Sequence, residues 1–150
     1  MARISFAARR QSRFMLVQAL YQWQVAAVPA ADIREQFHAQ TLFAKADAAY
    51  FDECLTAVIE QVATLDAHFE AFLDRRLVEL DPIELTILRL ATYELACRLE
   101  LPYRVIINEA LEVSKIFGAT DSFKYVNGVL DQVAKLLREP EKASLSEEKS

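Results

Sequence analysis

Glycine, proline and cysteine are scarce in this chain, with two, four and two copies among 150 residues. The two glycines, at 118 and 128, form neither a Walker loop nor a dinucleotide fingerprint, motifs in which closely spaced glycines let backbone approach phosphate. With few helix breakers, and Ala, Leu, Glu, Gln and Arg filling most windows, the expectation is an all-α fold. Cys54 and Cys97 lie apart among apolar neighbours, without a C-x-x-C pair or a His at ligand spacing, and read as small core residues. His38 and His68 are equally isolated and read as packed or solvated helix residues. No run approaches the roughly 18 to 20 apolar residues of a membrane span, and the apolar segment of a signal peptide is missing. A soluble, cytoplasmic protein with no membrane partner is expected. No nucleophile, acid and base pair or metal cluster stands at useful spacing, which predicts a non-enzyme without metal or cofactor.

What the chain does have is a 53% hydrophobic composition, enough for one globular domain with a real core, and a segregated charge. Residues 1 to 31 carry four arginines and no acid, so the other 119 residues hold −9 of the net −5. Arg9, Arg10 and Arg13 share an arc of about 100° on one helix. The stripe is either an anion-binding surface or an ordinary solvated segment.

The spacing predicts a first helix from Ser5 to Ala26. Its half from Phe14 to Val25 is apolar nearly all round, and its first turns are polar; Arg9, Gln11, Ser12 and Arg13 are expected to protrude from the core. Asp32 should open a short helix to Gln40, and Asp47 a longer one to Leu73, interrupted near Leu65. Asp81, Pro82 and Glu84 read as cap, first position and capping-box partner of a central helix through Leu99. Pro102 opens the next helix, with Tyr103, Ile106, Ile107, Ala110, Leu111, Ser114 and Phe117 on one buried stripe. Gly118 should end it in the left-handed conformation. Thr120 or Asp121 caps a last helix to Arg138, inside which Gly128 suggests close approach of a second helix. The domain is expected over residues 1 to 138, in two stacked subbundles. Residues 139 to 150 are expected to form a disordered acidic tail.

Several residues carry two readings. Tyr21 falls 11 residues after Arg10, close to three turns, so it either shares the arginine face or belongs to the core. Asp121 and Tyr125, four apart, are a cap and a packing aromatic, or contacts that read bases. Glu84 is a capping residue first and a partner contact second.

The arginines followed by VQALYQWQ, then LRLATYEL, PYRVIINEALEVSKIFG and DSFKYVNGVLD, resemble the NusB family of transcription antitermination factors over residues 5 to 138. The resemblance implies about seven helices in two subbundles and a non-enzymatic role. It implies binding of boxA RNA together with NusE, a ribosomal small-subunit protein, within the RNA polymerase antitermination complex on ribosomal RNA operons. By position, Arg9, Arg10, Arg13, Asp121 and Tyr125 match RNA-binding residues, and Tyr21 and Glu84 match the NusE interface. Gln11 interrupts a run of arginines that some members continue, and Tyr125 stands where Phe is frequent. Three cationic contacts imply a log-log salt slope near −2, at about 0.7 per contact on single strands. The alternative roles are a homodimeric scaffold, in which a dimer covering the arm would be an inactive store, and a non-catalytic RNA-binding module associated with ribosomal RNA modification.

Overall fold

Ser5 starts the first helix by accepting a hydrogen bond from the Ala8 amide, and α1 then runs Phe6–Ala26. The computed structural model describes residues 5 to 139, so the expected tail beyond Glu139 lies outside the described residues. After α1 come α2 (Ala30–His38), α3 (Ala48–Glu60), α4 (Val62–Phe69), α5 (Pro82–Cys97), α6 (Tyr103–Phe117) and α7 (Ser122–Leu137). Short 3-10 turns at Thr41–Lys45, Glu70–Phe72 and Leu77–Glu79 complete the described elements. Helices α1, α2 and α3 pack on one another as one subbundle, α4 to α7 as the other, and α1 lies against α5 to join them. The expected all-α, two-subbundle fold is the observed one.

The central helix is α5, as its nearly unbroken apolar surface requires. Ile87, Leu88, Leu90, Ala91 and Leu95 are buried in a core shared with Leu16 and Leu20 of α1, Ile106 of α6 and Leu130 of α7. Asp81 caps α5 by accepting from the amides of Ile83 (2.8 Å) and Glu84 (3.2 Å). The end of α5 and the turn into α6 are held from outside by Arg138. Its buried guanidinium donates to the carbonyls of Leu95, Leu101 and Arg98 at 2.8, 3.0 and 3.1 Å, a cation satisfying carbonyls that a helix end leaves open.

Several local expectations give way to packing. The long helix after Asp47 breaks at Gln61, four residues before the expected Leu65, and α2 begins at Ala30 rather than Asp32. Cys54 is buried but Cys97 is exposed, because α5 ends there. Gly118 is extended, with φ −84° and ψ 169°, and not left-handed. Its lack of a side chain matters for a different reason: an added Cβ would lie 2.7 Å from the Ser114 carbonyl oxygen and 2.8 Å from Ser122 Cβ. The positive φ falls instead on Asp121 (71°), whose side chain makes no capping bond. Gly128 faces open space, with nothing within 4 Å of an added Cβ, so no helix approaches it.

Candidate nucleic-acid interface

The first turns of α1 do not stand clear of the core. Ser12 and Arg13, expected to protrude, are buried because the fold supplies partners that remove the cost of enclosing them. The Ser12 hydroxyl donates to the Asp47 carbonyl and accepts from the Asp47 amide, both at 2.8 Å. Arg13 is 3% exposed and donates through Nε and Nη2 to Glu94 of α5, at 3.0 and 2.8 Å. Burial pulls the Arg13 guanidinium down, but the Glu94 charge and hydrogen bonds outweigh it and keep it firmly protonated. Tyr50 also donates to Glu94. Burial and the Glu94 charge push that phenol up, so it stays a donor.

Arg9 is pinned as well. Its Nη2 lies 3.6 Å from Asp47 Oδ2, and its guanidinium carbon is 4.2 Å from the centroid of the Tyr50 ring, a cation-π geometry. Arg10 is different. Its side chain is 41% exposed and meets Glu109 of α6 through Nε alone, at 3.0 Å. Among the described residues no acceptor meets its Nη groups, so its outer edge is open. Glu109 is itself buried; its other oxygen, Oε1, has no hydrogen bond and lies 3.9 Å from Arg13 Nη1. The three arginines are thus matched by Asp47, Glu94 and Glu109, and the stripe does not sum to three free charges.

Tyr50, Glu94 and Glu109 were not singled out in the sequence, although a signal existed. A lone carboxylate within LRLATYEL, or at the Ile106, Ala110, Val113 spacing of a buried stripe, requires a buried cation. Arg13, within a mostly apolar helix, is that cation.

The other predicted residues gather at the opposite end of α1. Gln24 Nε2 donates to the Pro82 carbonyl at 3.0 Å, which sets the last turns of α1 beside the start of α5. Tyr21, 36% exposed, and Glu84 therefore share that end of the molecule. Glu84 does not complete a capping box; it is 8% exposed, and the Ser122 side chain at the start of α7 lies close enough to favour its charged form. Burial raises its carboxyl above the ordinary range, against the opposing influence of Ser122, with the Asp81 charge adding to the rise. Tyr125, half-buried, accepts from the Asp74 amide at 3.3 Å, and Arg75 lies over its ring at 4.9 Å.

Asp121 is exposed, with Lys124 Nζ 3.4 Å from its Oδ1. Between the two ends runs the exposed side of α6, from Arg104 through Asn108 to Lys115. Nine residues, roughly 13 Å of helix, separate Glu109 from Gly118. Arg10 therefore meets α6 near its middle, while the Asp121 turn lies beyond its C-terminal end, where Phe14 of α1 packs on Phe117 with ring centroids 6.2 Å apart. Lys115 and Lys124 bracket the Phe123 ring at 5.5 and 6.0 Å, a cation and aromatic group the sequence reading passed over.

Two fused helical subbundles, with an exposed edge of α6 running between an arginine on α1 and a lysine and aromatic group on α7, define an all-helical protein of the two-subbundle class. The NusB family model matches residues 10 to 135. A transcription antitermination protein NusB from Alcanivorax borkumensis is 53% identical over 131 residues, covering 87% of each chain. Another from Acinetobacter baylyi is 46% identical over 138 residues, covering 92% of this chain and 93% of that one. A solved structure of T. maritima NusB superposes with a TM-score of 0.70 at 30% identity, covering 85% of this chain and 90% of that chain. The chain belongs to the NusB family of transcription antitermination proteins. Among the described residues, no helix is long and apolar enough to cross a membrane.

Proposed function

We propose that this chain binds single-stranded boxA RNA together with NusE and, within the RNA polymerase antitermination complex, promotes transcription of ribosomal RNA operons in the cytoplasm. The role is one of binding and placement, without a chemical step. The observation that carries it is the open edge of Arg10. A guanidinium fixed through Nε by Glu109 presents its two Nη groups to solvent in a fork suited to phosphate. From there the exposed side of α6 leads to Lys115, Phe123 and Lys124, where cations flank an aromatic ring. Single-stranded RNA is held by this combination, with phosphates on cations and bases on rings.

Arg9 and Arg13 act differently from Arg10 in this reading. Arg13, enclosed between two carboxylates, builds the platform on which Arg10 stands, and Arg9 fastens α1 to the start of α3. Asp121, if it faces RNA, accepts hydrogen bonds from base amino or imino groups, since a carboxylate repels phosphate. Tyr21 and Glu84, at the far end of α1, mark the surface assigned to NusE. Titration of labelled boxA RNA with and without NusE, after the mass in solution has been measured, tests the reading. Tighter RNA binding with NusE, weakened by Arg10→Ala, is expected. Unaltered affinity of Arg10→Ala overturns it, and a dimer that loses RNA binding favours the scaffold role.

A further inference from the structure

Phe6, the first residue of α1, is 60% exposed. Of the other large apolar residues of the same helix, Met15, Leu16, Val17 and Leu20 are drawn into the core, and Val25 in its last turn is exposed like Phe6. Nothing in helix formation calls for an aromatic residue at this position, where Ala or a polar residue serves as well or better. Nor does the ring stand alone. Arg10, one turn on, holds its guanidinium carbon 5.2 Å from the Phe6 centroid, while Glu109 fixes the same guanidinium from the other side. Next to the ring opens a crevice of about 190 Å³ lined by Ser5, Phe6, Arg9, Arg13, Leu101 and Val105. Its α6 side is apolar and its α1 side basic.

We propose that Phe6 is a stacking platform for one nucleobase of single-stranded RNA, placed at the mouth of this crevice, with the neighbouring phosphate on the open edge of Arg10. The inference rests on the RNA-binding reading above and adds to it a residue outside the arginine pattern. A base fits the chemistry better than a protein side chain for two reasons. The apolar surface is one ring beside a small crevice, too short to seat a helix. The groups around it on α1 are cationic, and the carboxylates that match them lie on their buried side, so the partner is a flat apolar ring that carries negative charge nearby. Every base has such a face, so the platform adds affinity without choosing sequence.

The test uses the full chain with NusE and a fluorescein-labelled boxA RNA in a polarisation titration. Phe6→Leu, which keeps apolar bulk and removes the π face, is expected to weaken binding about tenfold. The log-log salt slope should stay as in the native protein, because no cation is lost. Phe6→Trp should bind at least as tightly as the native chain, and RNA carrying 5-iodouridine should crosslink to Phe6 on irradiation. Arg10→Ala serves as the contrast, since it lowers both affinity and slope. Native affinity in Phe6→Leu, with Arg10→Ala still weakened, overturns the stacking platform and leaves the phosphate contact standing. If the native protein with NusE binds no boxA RNA, the RNA-binding reading itself fails, and the platform falls with it.

Discussion

Arg13 and Arg10 stand three residues apart on one helix, and the structure makes their removal two different experiments. Arg13→Ala strips Glu94 of its bidentate partner and leaves a carboxylate enclosed with only the Tyr50 hydroxyl. A loss of about 3 to 5 kcal/mol in unfolding free energy is expected by denaturant titration, the cost of breaking a buried pair from one side. Arg10→Ala takes from the buried Glu109 its one hydrogen bond among the described residues and leaves it Arg13 at 3.9 Å, so it should cost about 1 to 3 kcal/mol, less than Arg13→Ala, and still weaken RNA binding where the variant is fully folded. Weak RNA binding by an Arg13 variant therefore reports on folding before it reports on contact.

Glu84 is read by pH. Its carboxyl is raised by burial, so the folded state holds the proton more tightly than the unfolded chain. The stability linked to this group is full below the ordinary carboxylate range and is lost as pH rises through the raised value. Glu84→Gln keeps the size and polarity of the side chain and removes the titration. Its melting temperature should differ least from native near about pH 4 and gain on it toward about pH 7; parallel curves would show that Glu84 does not titrate with folding.

Among the elements, the turn between α6 and α7 and the interior of α7 respond to the same substitution with opposite sign. Gly118→Ala drives a methyl against the Ser114 carbonyl and Ser122 Cβ, both closer than 3 Å. Relieving that contact has to shift the start of α7, where Ser122 is buried. A loss of about 1 to 3 kcal/mol is expected. Gly128→Ala meets nothing within 4 Å and replaces glycine inside a helix, so it should raise stability by about 0.5 to 1 kcal/mol. Thermal melts of the two variants side by side check both. Both glycines stand out in the sequence, but Gly118 answers a requirement for space and not for a left-handed backbone, and Gly128, whose place inside a helix suggests close packing, faces open space.

At the scale of the whole molecule, charge pairing changes the expected salt response. Three free arginines imply a slope near −2, but Arg13 is enclosed and Arg9 is held between Asp47 and Tyr50. Phosphate contact from α1 then reduces to Arg10, a contribution of about −0.7 to the log-log slope, with any remainder from Lys115 and Lys124 on the far side. Measuring affinity across salt for the native chain and for a Lys115→Ala, Lys124→Ala double variant separates the two ends. A slope near −2 that survives the double variant would mean that Arg9 or Arg13 leaves its carboxylate on binding.

The helices and their order were legible in the sequence because they rest on short-range signals: Asp81 and Pro82 at the start of α5, the apolar surface of LRLATYEL, the stripe from Tyr103 to Phe117. The family was legible in the same way, from contiguous segments. What the sequence could not show was which charges stay in solvent. Arg9, Arg10 and Arg13 look alike along the chain, yet one is enclosed, one is pinned and one is open. That difference is set by Glu94 and Glu109, which lie 81 and 96 positions beyond Arg13 and reach it only when α5 and α6 pack against α1. Hydrophobic periodicity is a local property and determined the fold class by itself. The free energy of a charge depends on every group folding places around it, so which of these charges stays open to solvent was decided by the tertiary structure.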